Sequence, residues 1–352
     1  MRALFVHEVF PPDYRGGGES VAGRSALALR DLGVEVKVVT AGNPAVGEWQ
    51  GLPTQRLPIS RYQFNLAAPT ILAAAKNVDL IHTYNYNACL PALVAGKKLG
   101  IPVILHMIGL FGSVWREMRP FPLGHAWEWI EAFQLRRGWD RIICLSDYAR
   151  NHALDIGANP KRCVVINPGI EERFVPGAVK QDLVLFTGKF EPRKGVFEVI
   201  EVARALPDIP FKLYGWGDLE AELRRIAPPN VEIETYETSE RLPAELARAR
   251  ICILPSKAET FGLALIQAMA SGCAVVSSIP LPFEGVRVKP TDISGMIEAV
   301  RGLWEDPLGA EEMGRHNIDL AKSYTWQVAG RKMLELYQEV LAERGRLSVA
   351  LR

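Results

Sequence analysis

The sequence predicts two doubly wound α/β domains in tandem, and three observations lead there. The chain has 352 residues, more than one hydrophobic core usually supports. Short, nearly continuous apolar runs alternate with amphipathic helical patterns from end to end, the mark of parallel strands covered by helices on both faces. The rhythm breaks once, at 168–182, where "PGIEERFVPGAVKQD" carries two Pro-Gly punctuations and reads as a linker.

The elements follow in order. "ALFVHEVF" (3–10) reads as the first strand, followed by a glycine loop and a helix from about Glu19 that Gly33 stops. Strands are expected at 34–40 and 78–82, then a helix to Leu99 stopped by Gly100, then strands at 101–107, 140–146 and 163–167. After the linker the pattern restarts with strands at 183–188, 210–215, 231–235, 250–255 and 274–278, separated by helices, the first of them from Gly195. Two helical patterns close the chain, near 292–304 and 309–343, the second interrupted around Ser323. Domains are therefore expected at 1–170 and 180–322, with 323–352 as a C-terminal helical segment. Ligands of such sheets bind beyond the carboxyl ends of the strands, so a site is expected in a cleft that the two domains face.

Bulk composition excludes several functions. The formal net charge of +1 supplies no field for nucleic acid. Five scattered cysteines include no C-x-x-C pair, which speaks against a disulfide framework and a zinc site and for a reducing compartment. The opening "MRALFVHEVFPP" reads as a strand rather than a signal peptide, and no apolar run is long enough to span a bilayer. The expected location is cytoplasmic. One segment stands apart: "VWREMRPFPLGHAWEWIEAFQLRRGW" (114–139), with four tryptophans and four arginines. It reads either as an ordinary core-facing helix or as a surface that meets the inner face of a membrane or a large acceptor.

Three stretches carry candidate chemistry. In "GKFEPRKG" (188–195), Gly188 allows a sharp turn, and Lys189 and Lys194 lie on a short loop running into a helix start. Two ammonium groups, free N–H groups and a helix dipole make an anion site suited to a diphosphate, although a solvated turn reads the same way. In "PSKAETFGLALIQAMASGCAVV" (255–276), Glu259 precedes a helix expected to start at Phe261 or Gly262. The unpaired N–H groups there, Leu263 among them, and the polar Gln267 inside the helix can clasp a polyhydroxyl ligand. Glu259 can alternatively serve only as an N-cap. In "PPDYRGGGES" (11–20), Gly16, Gly17 and Gly18 can form a backbone nest for a phosphate or hydroxyl. "YGWGD" (214–218) contains Gly215 but lacks the third glycine of a nicotinamide fingerprint. His82 and His106, near first-domain strand ends, are candidates for the acceptor side or for structural roles. No Ser/His/Asp spacing and no H-E-x-x-H occurs, so hydrolase and zinc-protease functions have no support.

Together these residues resemble the retaining family 4 glycosyltransferases of the two-domain GT-B fold, over nearly the whole chain. "PPDYRGGGE" looks like the family's P-P-x-x-G-G-x-E loop, "GKFEPRKG" like G-R/K-x-x-x-x-K-G, and "YGWGDLEAEL" like G-x-G-x-x-x-x-x-L. "PSKAETFGLALIQAMASGCAVV" follows P-S-x-x-E-x-F-G-L-x-x-x-E-A-M-A-x-G-x-P-V-V. "SYTWQVAGRKMLELYQEVL" resembles the terminal helix that crosses back to the first domain. The resemblance implies a hexose moved from a nucleotide-diphosphate sugar, UDP- ahead of GDP- or ADP-, to a hydroxyl acceptor, with no metal or other cofactor. It implies Lys189 and Lys194 on the diphosphate, Glu259 on the sugar, position 267 on the ribose, and Gly17 facing phosphates or acceptor. Three departures stand out: Gln267 replaces the family's second glutamate, Ile108 replaces a histidine after His106, and the loop after "AVVSS" is short. An amide offers one acceptor oxygen where a carboxylate offers two, a loss of roughly 1.5–3 kcal/mol, which weakens nucleotide binding without touching the lysines. Two alternatives remain open: a non-catalytic sugar- or nucleotide-binding paralogue, and a sugar-nucleotide epimerase of the same fold.

Overall fold

A computed structural model of the chain describes residues 1–13, 16–236 and 240–350. Two compact units result, one of Met1–Gly169 together with the segment from Trp326, the other Ile170–Thr325. Each is a parallel-sheet, Rossmann-like α/β fold. The first holds strands β1 (Arg2–Val6), β2 (Glu35–Ala41), β3 (Glu48–Trp49), β4 (Leu52–Leu57), β5 (Leu80–Tyr84), β6 (Val103–Met107), β7 (Arg141–Cys144) and β8 (Cys163–Val165). Its helices are α1 (Gly17–Asp31), α2 (Ala68–Ala74), α3 (Cys89–Leu99), α4 (Trp115–Met118), α5 (Leu123–Leu135) and α6 (Asp147–Asp155). The second holds β9 (Gln181–Lys189), β10 (Phe211–Trp216), β11 (Val231–Thr235), β12 (Ala249–Leu254), β13 (Ala274–Ser277) and β14 (Gly285–Arg287). Its helices are α7 (Val196–Ala205), α8 (Glu220–Ile226), α9 (Leu242–Arg248), α10 (Leu263–Ala270), α11 (Ile293–Glu305) and α12 (Pro307–Ala321). The last helix, α13 (Trp326–Ala350), returns to the first unit.

Strand order places the loops that matter. The first sheet runs β3-β4-β2-β1-β5-β6-β7-β8, parallel throughout except for the β3–β4 pair. The second runs β11-β10-β9-β12-β13-β14, all parallel. In the second sheet the chain winds outward from β9 on one side and from β12 on the other. The loops after these two strands therefore part in opposite directions and leave a crevice at their carboxyl ends. The same switch falls between β1 and β5 in the first sheet.

Packing explains why the strands read as apolar runs. Along β1, Leu4 and Val6 enter one core while Ala3 and Phe5 enter the core on the opposite face. The second of these cores includes Met333, Leu336, Tyr337 and Val340 of α13, whose burial holds the terminal helix on the first sheet. Each such side chain contributes about 1.5–3 kcal/mol when fully buried.

The structure adds elements the sequence pattern did not announce. β4 alternates buried and exposed residues, carries Pro53 and lies next to the edge of its sheet. Its Arg56 is buried and donates to the carbonyls of Val46 (3.0 Å) and Phe10 (3.2 Å). β14 is a three-residue edge strand inside the shortened loop after β13. Among the described residues the interruption expected near Ser323 is a full break between α12 and α13.

Candidate functional site

The two lysine- and glutamate-bearing loops of the second unit meet. β9 continues through Gly188 to Lys189, so the chain turns after the lysine and not at the glycine. A short 3-10 turn, Pro192–Lys194, then leads into α7 through Gly195. Gly195 has φ +76°, and a Cβ there would lie 2.4 Å from the Pro255 carbonyl oxygen, so only glycine allows the β9 loop to press against the β12 loop. The backbone is tied across the same gap, Lys257 N donating to the Arg193 carbonyl at 2.8 Å. Lys194 Nζ then pairs with Glu259 Oε1, which also accepts from Ser256 Oγ at 3.1 Å.

A third cation, overlooked in the motif, holds this arrangement together. Arg193 donates to the Ala258 carbonyl at 2.8 Å, lies 3.6 Å from Glu259 Oε2, and pairs on its other side with Glu191. Glu191 in turn meets Lys189 Nζ at 3.2 Å, and Lys189 lies 5.4 Å from the Trp216 ring centroid. Charges thus alternate along Lys189, Glu191, Arg193, Glu259 and Lys194, with one positive charge in excess. The available signal was a third basic residue in a loop that ends on a helix N-terminus.

Burial alone would raise the Glu259 pKa; Lys194 and Arg193 outweigh it and hold the carboxyl below its ordinary range. Burial, reinforced by Arg193, lowers the Lys194 ammonium from its usual value, with Glu259 opposing. Glu191 behaves like Glu259, its burial overcome by Arg193, Lys189 and Lys194. The result is a dense, pre-paired cluster of charge with its cations already positioned for an anion.

α10 starts at Leu263, later than expected, because Gly262 adopts φ +98° as its N-cap and a Cβ there would lie 2.8 Å from Ile279 Cγ2. Gln267 is the fifth helical residue, little more than one turn in, and half-buried. The Phe261 side chain does not reach outward as a donor contact; it is buried and packs edge-on against Tyr324 at 5.6 Å. Gly215 pairs in register with Gly188 across β9 and β10, which places both at the same strand ends as Lys189.

In the first unit, Gly16 caps α1 and Gly17 is its first residue. The Glu19 carboxylate folds back over the cap; a Cβ on Gly16 would lie 2.2 Å from its Oε2. An acid thus already meets the positive end of α1. Ile108, standing where the family has histidine, packs against Gly18, its Cδ1 2.9 Å from a Cβ built there. Tyr14 and Arg15 of this loop lie outside the described residues.

His82 and His106, candidates for the acceptor side or for structural roles, are both internal. His82 is fully buried; its Nδ1 is 2.5 Å from Tyr337 Oη of α13 and its Nε2 is 3.0 Å from His106 Nδ1. His106 is also buried and stacks on Tyr84 at 5.2 Å. Side chains alternate across the sheet, and the even-numbered positions 82, 84 and 106 point to the face covered by α1 and α13 rather than beyond the strand ends. His7, unremarked in the sequence, joins them edge-on to Tyr84 at 4.7 Å.

Comparison with known proteins gives the family. Residues 16–169 match the family described as "Glycosyl transferase 4-like domain", and residues 181–306 match "Glycosyl transferases group 1". The chain belongs to the GT-B glycosyltransferases of this family 4 and group 1 type. This glycosyltransferase is 26% identical to the alpha-maltose-1-phosphate synthase of Mycobacterium tuberculosis, over 97% of this chain and all of that one. It superposes on the sucrose-phosphate synthase of Thermosynechococcus elongatus with a TM-score of 0.83 at 20% identity, covering 97% of this chain and 99% of the other. It superposes on Anabaena HepE, solved with UDP and glucose, with a TM-score of 0.79 at 16% identity, covering 96% of this chain and all of the other. At such identities the two superpositions speak for the fold.

Proposed function

We propose that this glycosyltransferase moves a hexose, with retention of configuration, from a nucleotide-diphosphate sugar to a hydroxyl acceptor, with UDP sugars ahead of GDP or ADP sugars. The observation that carries the reading is the apposition of Lys194 and Glu259 at the switch point of the second sheet. Lys189, Arg193 and Lys194 would share the charge of the diphosphate, so the leaving group needs no metal ion. Glu259, kept ionised by its neighbours, would accept hydrogen bonds from sugar hydroxyls, and Gln267 would face the ribose. The sugar C1–phosphate oxygen bond breaks as the acceptor oxygen bonds to C1 on the same face, and the acceptor proton passes to the departing phosphate. The preference for uridine draws support from the Anabaena neighbour, solved with UDP and with UDP-glucose.

The test combines ligand screening with one substitution. A UDP sugar should raise the unfolding midpoint more than GDP or ADP sugars do, because a ligand stabilises in proportion to its affinity. Lys194→Ala should lower release of the nucleotide by at least about tenfold while the protein stays folded. Turnover at the wild-type rate in that variant would remove Lys194 from the mechanism. Nucleotide binding without release, whatever acceptor is supplied, would favour the non-catalytic alternative, which the apolar Ile108 beside Gly18 brings to mind. A new nucleotide sugar formed without acceptor would favour the epimerase.

A further inference from the structure

We propose that the exposed face of α5, with the basic recess at its C-terminal end, docks this protein on an anionic phospholipid bilayer. The first observation is that α5 shows a row of rings to solvent while its inner face combines polar side chains with Trp127, which stacks on Trp115 at 5.4 Å. Its buried face holds two polar residues, Glu131 and Gln134, beside Leu135. Glu131 accepts from Tyr86 Oη and Trp115 Nε1, each at 2.7 Å, and from the Gly112 backbone N–H at 2.8 Å. Gln134 clamps the Tyr86 backbone, accepting from its N–H at 3.0 Å and donating to its carbonyl at 2.9 Å. The outward side is aromatic: Trp129 is 64% exposed, and Phe121 and Leu123 at the helix entry are 82% and 54% exposed. Exposed rings on a helix that already packs Trp127 and Leu135 inward mark a surface with a further apolar partner.

The rings are ordered along that side at spacings of four residues. Phe121 meets His125 edge-on at 5.4 Å, and Trp129 stacks on Phe133 at 5.0 Å. The Arg137 guanidinium lies 3.5 Å from the Phe133 ring centroid and closes the row with a charge. Tryptophan and arginine side by side are suited to the headgroup level, where one end of the contact is apolar and the other wet. Among the described residues no helix is long and apolar enough to cross a membrane, so the contact lies along the interface.

The second observation is the sign of the charge beside the rings. Arg136 and Arg137 are exposed at the end of α5. Arg137 also lines a recess with Arg162, Arg344, Asp140 and Glu343. Both acids of the recess are matched, Asp140 by Arg344 at 2.7 Å and Glu343 by Arg141, which leaves the rim positive. At the other end Glu128 is paired with Arg116 at 2.6 Å, and exposed Arg119 stands near exposed Glu117. The chain as a whole is almost neutral at +1, so this excess is local and complements anionic headgroups.

The test uses the purified full chain and no turnover measurement, so its failure is distinct from failure of the glycosyl-transfer reading. The protein is co-sedimented with phosphatidylcholine vesicles with and without phosphatidylglycerol, at low and high salt. Binding is expected to the anionic vesicles alone, to weaken with salt, and to be accompanied by a blue shift of tryptophan emission. The triple variant Phe121→Ser, Leu123→Ser, Trp129→Ser should lower partitioning by about tenfold or more. Arg136→Gln with Arg137→Gln should lower it on the order of tenfold through charge alone. An unchanged unfolding midpoint certifies each variant, and the single change Trp129→Ser substitutes for the triple if that does not fold. Absence of vesicle binding by the wild type, or variants that bind as well as it does, would overturn the proposal. Self-association abolished by the same substitutions, without vesicle binding, would assign the face to a second copy of the chain.

Discussion

At the scale of single residues, the decisive feature is that Glu259 is held below the ordinary carboxyl range although burial pushes it the other way. Two cations do this, and one of them, Arg193, also fastens the loop that carries the acid through the Ala258 carbonyl. Charge and position are therefore set by the same side chain. Removing Glu259 would strand the Lys194 ammonium, a loss of about 3–5 kcal/mol for a well-buried pair and less here, where the lysine side chain is 19% exposed, whereas removing Lys194 leaves Glu259 with Arg193 and Ser256 and costs less again. Position 267 tests the neighbouring part of the site. Gln267→Glu restores a second acceptor oxygen, and nucleotide affinity measured by titration calorimetry should rise by roughly tenfold to a hundredfold. An unchanged affinity would mean that this side chain does not face the nucleotide.

Among elements, α13 has the most telling attachment. It follows the second unit in sequence but belongs to the first, packs its apolar stripe on the first sheet, and sends Tyr337 to a histidine ring on β5. Tyr337→Phe keeps the packing and deletes the hydroxyl, so His82 Nδ1 loses its partner inside the core while Nε2 keeps His106. Destabilisation of about 1–3 kcal/mol is expected, read as a lowered urea midpoint with an unchanged slope. A shift near zero would show that the hydroxyl contact adds nothing beyond ring packing. α5 makes the opposite point. Its polar inner face organises the loop after β6 through Glu131, whose carboxyl is pushed upward by burial although four hydrogen-bond donors pull it back.

Over the whole molecule, three buried histidines shape the response to acid. Burial depresses His7 to about 3, with Arg61 adding to the effect, and burial depresses His106 to about 3. Burial lowers His82 as well, helped by the neighbouring histidines. A base whose folded pKa lies below its unfolded value of about 6.5 takes up its proton first in the unfolded chain. The associated stability is complete above that pH and drains away as pH falls through the window from about 6.5 to about 3. Each of His7 and His106 should contribute a loss of about 1.4 kcal/mol per pH unit across that window. Unfolding midpoints collected through this range should fall accordingly as pH drops, and His106→Gln should flatten that dependence by one histidine's share. An unchanged slope in that variant would show that His106 is protonated in the folded protein.

What the sequence by itself determined is the repeating architecture, because apolar runs and glycine stops are local signals. Gly33, Gly100 and Gly195 mark ends and starts of helices without any knowledge of distant contacts, and "GKFEPRKG" and "PSKAETFG" announce their chemistry from composition and spacing. β4 and β14 escaped because β4 alternates buried and exposed residues around Pro53 and β14 is only three residues long, so neither carries the continuous apolar signature of the central strands. Only the tertiary structure decided which charges meet, since Lys194 and Glu259 are 65 positions apart and come together through the order of β9 and β12. It alone decided that His82 and His106 turn inward. A strand's pleat sets which side each residue takes, but which helix covers that side is a long-range outcome, and here α13 covers it with Tyr337.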